Sequence, residues 1–138
     1  MTVGIDGHSA PAGDRLTFAV DCDRRLLVIE CRGGIRDHDL LTVIPRIWEE
    51  HPDVIGCNTI VDTRTLTSEG GWTWQALREI ARLWRQFADG RDRGRRTAIV
   101  ATDTWITLLA GAVAIDYRGR EFRCFGDPDA ARAWAIRT

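Results

Sequence analysis

The stretch CNTIVDTRTLTSEGGWTWQALREIARLWRQFAD, residues 57–89, decides the fold. It begins with CNTIVD, an apolar and β-branched run that closes on Asp62 and reads as a strand. A hydroxyl-rich loop broken by Gly70-Gly71 follows. Trp74, Leu77, Ile80, Ala81, Trp84 and Phe87 then recur every three or four residues, the stripe of an amphipathic helix. Strand, loop and helix in that order form half of a β-α-β crossover, so the question becomes what stands on either side.

Upstream, LTFAVD at 16–21 alternates apolar and polar residues, and DCDRR interrupts it. LLVIE at 26–30 then runs almost unbroken to Gly33-Gly34. This is a hairpin of one half-exposed strand and one buried on both faces. Next, IRDHDLLTVIPRIWEEHP places apolar residues at 40, 41, 43, 44, 47 and 48, a helical stripe with Asp37 or Asp39 as N-cap. Pro45 requires either a kink or a start late enough to put it in the first turn.

Downstream, RDRGRR reads as a solvated turn in preference to an anion site, because Gly94 and the adjacent charges suit an exposed connection. TAIVAT is a fourth strand, Thr102-Asp103 caps the helix TWITLLAGAVAIDY, EFRCF is a fifth strand, and Asp127-Pro128 opens a short last helix. The order β-β-α-β-α-β-α-β-α predicts an α/β single domain: a mixed, mostly parallel five-stranded sheet with flanking helices, its first strand antiparallel. Residues 1–14 are expected to be a flexible tail and 15–138 the domain.

A chain of 138 residues, 44% apolar and 28% charged, suits one folded domain, and six tryptophans supply large apolar area for its core. Nineteen cationic residues meet twenty acidic ones, so no net basic field exists to hold a nucleic acid or an anionic membrane. The apolar run 105–115 is too short for a membrane span, which needs about 20 residues. The cysteines at 22, 31, 57 and 124 show neither Cys-x-x-Cys spacing nor a nearby histidine at a ligand-like offset. Reduced thiols, a cytoplasmic location and no metal or cofactor are therefore expected.

The opening hairpin, the strand ending in IVDTR, the strand AIVATD leading into a helix, and the close FRCFGDPDAARAWA together resemble the bacterial SpoIIAA-like proteins, a branch similar to STAS domains. The resemblance covers roughly residues 16–136 and rests on packing and capping signatures. It implies a STAS-like fold, similar also to the CRAL-TRIO lipid carriers, and a non-catalytic role in interaction or regulation through a protein partner or a homodimer. The alternative is a carrier or sensor of a small apolar, lipid-like ligand. Anti-sigma antagonists carry a phosphorylated serine in an Asp-Ser pair after the third strand. Here Asp62 matches the strand-end acid, but Gly70-Gly71-Trp72 stands where the pair would be. Thr67, Ser68 and Thr73 are the nearest hydroxyls, with Thr73 and Ser68 as candidate phosphoacceptors against the plainer role of Thr73 as a helix cap.

Ligands of parallel sheets favour the carboxyl ends of the strands. That rim should gather Gly33, Gly34, Asp62, Thr63, Arg64 and Asp103 as a candidate site for a small polar ligand. No catalytic residues are assigned: His8, His38 and His51 do not converge with a nucleophile, and the acids have capping roles available. In the helix from Thr104, positions 105, 106, 108–110 and 112–115 are apolar, so hydrophobic residues nearly surround its axis. Trp105, Ile106, Leu108, Leu109 and Ala112 are the expected interface with a second copy.

Overall fold

The strands lie side by side in the order in which the sequence presents them. A computed structural model describes residues 2–3, 16–66, 73–102, 107, 111 and 119–136. Thr2–Val3 (β1) pairs antiparallel with Leu16–Asp21 (β2), which pairs antiparallel with Leu26–Gly33 (β3). Asn58–Leu66 (β4), Arg96–Val100 (β5) and Glu121–Phe125 (β6) follow in that order, each parallel to its neighbour. The mixed, mostly parallel sheet expected from the element order is thus formed, and β1 adds two residues beside β2. The remainder of the tail 1–14 lies outside the described residues.

Helices Asp37–Glu50 (α1) and Trp74–Ala88 (α2) are the crossovers on either side of β4. Successive strands step in one direction across the sheet, so right-handed crossovers put both helices on one face. Strand alternation sends Leu16, Phe18, Val20, Leu27, Ile29 and Cys31 to that face, where they meet Leu40, Val43, Ile47 and Trp48 of α1 and Ile80 and Trp84 of α2. Each fully buried aliphatic side chain contributes about 1.5–3 kcal/mol. Trp48 sits edge-on to Trp84 with centroids 4.8 Å apart and stacks on Phe87 at 5.9 Å, which fastens α1 to α2.

The other set of strand residues, Leu26, Ile60, Ala98 and Val100, packs against Ala131 and Ala135 of Pro128–Ile136 (α3). Asp127 starts this helix as expected, its carboxylate accepting from the amide of Asp129 at 3.1 Å.

Four expectations need correction. β4 does not stop at Asp62: Thr65 and Leu66 pair with Arg32 and Gly33 after a register shift in which β4 advances three residues against two in β3, so Asp62 is the fifth of nine strand residues. Of the two alternatives for Pro45 the late start fails, because Pro45 lies well inside α1, where it costs the bond to the Leu41 carbonyl. Burial of the flanking Val43, Ile44, Ile47 and Trp48 outweighs that loss. Neither Asp37 nor Asp39 occupies the N-cap of α1. That position is Arg36, whose amide donates to the Asp39 carboxylate at 3.0 Å. Finally, RDRGRR is not wholly a solvated turn, because Asp92 within it is 4% exposed.

The cysteines are free: Cys31 and Cys57 are buried, Cys124 half-buried and Cys22 exposed. Burial pushes the Cys31 thiol far above its ordinary pKa, so it behaves as a small apolar side chain. Among the described residues no helix is long and apolar enough to cross a membrane.

Candidate functional site

At the carboxyl end of the sheet, the pleat of β4 separates the residues that the sequence sets together. Thr63 points to the α1/α2 face, is buried, and donates to the Val100 carbonyl at 2.9 Å. Asp62 and Arg64, two residues apart, share the opposite face. The Arg64 guanidinium donates to Asp62 through Nε at 3.0 Å and through Nη2 at 2.7 Å, and the Arg64 amide adds a third bond at 3.0 Å. These bonds hold the Asp62 carboxyl below its ordinary pKa, against a smaller opposing effect of burial. A carboxylate kept ionised with its lone pairs taken up is poorly suited to act as a general base at neutral pH.

Other described residues of this rim are also engaged. Gly33 has φ +71° at the end of β3, a left-handed conformation that glycine adopts without strain, and still pairs with Leu66. Gly34 joins β3 to α1. Thr65 donates to the Cys31 carbonyl at 3.3 Å. Thr73 caps α2, its hydroxyl accepting from the Ala76 amide at 3.2 Å. The same hydroxyl donates to the Asp37 carboxylate at 2.6 Å, and the Thr73 amide donates to it at 2.9 Å. Asp37, displaced from its expected cap, therefore joins the N-termini of α1 and α2. A phosphate on Thr73 would stand against that carboxylate, an arrangement opposed by like-charge repulsion.

Asp103, Thr67, Ser68, Trp105, Ile106, Leu108, Leu109 and Ala112 lie outside the described residues. In the helix expected from Thr104, Thr107 and Gly111 are described: they are helical, one turn apart and exposed. The two described histidines stand at opposite ends of α1. His38 is exposed, and His51 sits edge-on to Phe18 at 5.3 Å. Among the described residues no group of three or more His, Cys, Asp or Glu side chains could hold a metal ion.

Two arginine arrangements at the amino end escaped sequence reasoning. The first is internal. Arg120, with its side chain 3% exposed, donates to the hydroxyls of Thr97 at 2.6 Å and Thr59 at 3.0 Å and to the Cys57 carbonyl at 3.2 Å. It also pairs with Asp92 at 3.3 Å and lies over the Trp84 ring at 5.3 Å. Trp84 in turn donates its indole N–H to Asp92 at 2.6 Å. This network binds the α2–β5 turn to the starts of β4 and β5, and its charges are fully desolvated.

The second arrangement is open. Arg24 and Arg25 of the β2–β3 turn, Arg95 and Arg96 at the start of β5, and Asn58 at the start of β4 line a cleft of about 740 Å³ beside Ile136. A sequence signal for it existed. Each Arg-Arg pair stands directly before an apolar strand run, LLVIE or TAIV, and parallel strands begin at one rim.

No family model matches the sequence, and no curated protein matches it. Among solved structures, the crystal structure of an uncharacterized DUF3478-family protein from Shewanella loihica PV-4, described as having a SpoIIAA-like fold, is similar. Its TM-score is 0.54 at 18% identity, over 87% of this chain and 91% of that one. The chain has a SpoIIAA-like fold.

Proposed function

We propose that this chain is a non-catalytic interaction or regulatory module, which acts in the cytoplasm by contact with a protein partner or with a second copy of itself. The observation that supports this reading most is the closed hydrogen bonding of the carboxyl rim. Asp62 is held by Arg64, Thr63 by Val100 and Thr73 by Asp37, so these three described polar groups near the usual ligand position of such sheets are engaged within the fold. Four free thiols suit a reducing compartment. The cleft formed by the described residues is lined chiefly by arginines, which gives a lipid-like ligand no support there.

A broad panel of hydrolase and transferase substrates, assayed with the protein and with Asp62→Asn, tests the reading. The expected outcome is no turnover that depends on Asp62. Turnover abolished in a folded Asp62→Asn variant would assign an enzyme instead. A native mass spectrum of freshly purified protein reads the other half: a ligand-free dimer, or a monomer that pairs with a defined partner, is expected, and a retained lipid mass would favour a carrier.

A further inference from the structure

We propose that the open cleft at the amino end of the sheet binds the phosphate groups of a small phosphorylated molecule. This goes beyond the module reading and rests on different residues, so either can fail alone. Among the described residues the lining carries Arg24, Arg25, Arg95 and Arg96 against one acid, Asp23, a formal charge of four less one for those residues in a chain whose net charge is −1. All nineteen cationic residues of the chain are arginines and none is lysine. Planar guanidinium groups match the oxygens of phosphate two at a time, which a lysine ammonium does not.

The arginines are set in place by the fold. The Asn58 amide donates to the Arg25 carbonyl at 2.9 Å, and the Asn58 side-chain oxygen accepts from the Arg96 amide at 2.8 Å. The Asn58 side-chain nitrogen donates to the Ala135 carbonyl at 2.5 Å. One residue thus ties both arginine pairs and the end of α3 into a fixed frame. The carbonyl end of α3 would repel an anion, but its Trp134 and Ala135 oxygens already accept from Arg96 Nη1, at 2.9 Å, and from Asn58. An entering anion therefore meets guanidinium groups.

Arg25 is the arginine most available to an anion. Its backbone has φ +51°, a left-handed conformation costly for a residue with a Cβ. Its guanidinium has no hydrogen bond or ion pair with any described residue. Strain of this kind collects at ligand sites. Arg95 makes one long bond, 3.4 Å to the Gly56 carbonyl. Arg24 is paired with Asp21 at 3.0 Å, and Arg96 stands 4.0 Å from Glu121 and over the Trp134 ring, so these two frame the cleft more than they fill it. A volume of about 740 Å³ falls in the range of small-molecule sites. Nucleic acid would call for an extended basic stripe, and the near-neutral chain supplies none.

Calorimetric titration with inorganic pyrophosphate tests the proposal, using the protein, Arg25→Gly and Arg64→Ala. Glycine suits the positive φ, so Arg25→Gly keeps the fold, and its thermal midpoint should be equal or higher. The expected result is measurable binding that Arg25→Gly weakens about tenfold or more through loss of charge-assisted bonds, while Arg64→Ala at the far rim changes it less than about twofold. Competition by vesicles containing a phosphoinositide would identify a lipid headgroup as the source of the phosphate. Failure of those vesicles to compete would identify a free metabolite. Absence of binding at low millimolar pyrophosphate, or equal affinity in Arg25→Gly, overturns the proposal. So does tighter binding of a single-stranded oligonucleotide, which would assign nucleic acid.

Discussion

The two ends of this sheet use charged side chains in opposite ways. At the carboxyl end Asp62 and Arg64 satisfy each other, and Asp37 closes on Thr73. At the amino end, below the sheet, four arginines line an open cleft with one acid among its described residues. The same amino end holds Arg120, a buried arginine bonded to Thr97, Thr59 and Asp92. Residue type and position on the fold are thus poor guides to ligand competence, and the state of hydrogen bonding is a better one. Open α/β sheets place ligands outside the carboxyl ends of their strands, yet here Asp62, Arg64, Thr63 and Thr73 of that rim are bonded within the fold.

The largest expected effect belongs to the closed arginine. Arg120→Met leaves Asp92 buried beside Trp84 without its charge partner and should cost about 3–5 kcal/mol in denaturant-induced unfolding. A loss below about 1 kcal/mol would show that the buried network does not hold the amino end together, and the contrast with the cleft would fail. Arg25→Gly should show the reverse pattern, a loss of binding without a loss of stability.

A middle-sized effect tests the carboxyl end. Thr73→Ala removes the α2 cap and should cost about 1 kcal/mol. Because Asp37 bonds the same hydroxyl, Asp37→Ala and Thr73→Ala should combine to less than the sum of their separate costs. Strict additivity in the double-mutant cycle would mean that the α1–α2 tie contributes nothing.

The smallest effect is a pH dependence. Arg64 lowers the folded-state pKa of Asp62, so this pair adds stability above the unfolded carboxyl value of about 3.9 and loses it as pH falls through the lower folded value. The pair is partly exposed and screened by solvent, which limits the contribution to about 0.5 kcal/mol. Comparison of unfolding at pH 7 and pH 2 should show a correspondingly shallower acid loss in Asp62→Asn. An identical acid loss in both proteins would indicate that the ion pair is without effect.

These contrasts also show what the sequence could reveal. Element order and strand direction were legible because LLVIE, CNTIVD, TAIVAT and EFRCF are dense apolar runs, and Asp127-Pro128 marks a helix start with little ambiguity. The extension of β4 through Thr63–Leu66 was hidden, since a polar TRT segment pairs only by way of a register shift that gives β4 one residue more than β3. The partner of Asp37 was hidden too, because Thr73 comes near it only after α1 and α2 pack together. Asp92 looked like one more solvated charge until Arg120 and Trp84, distant in sequence, closed over it. The cleft depends on two Arg-Arg pairs that become neighbours only through the parallel register of β3, β4 and β5. Periodicity reads local burial well, whereas such sites arise from long-range pairing.

The most direct measurement is a ¹H–¹⁵N correlation spectrum of the protein titrated with pyrophosphate. Saturable shifts concentrated at Arg24–Leu26, Asn58 and Gly94–Arg96, with Asp62–Leu66 and Thr73 unmoved, are the expected result. Shifts concentrated at Asp62, Arg64 and Thr73 would contradict the assignment of the amino end as the ligand-competent end of the sheet.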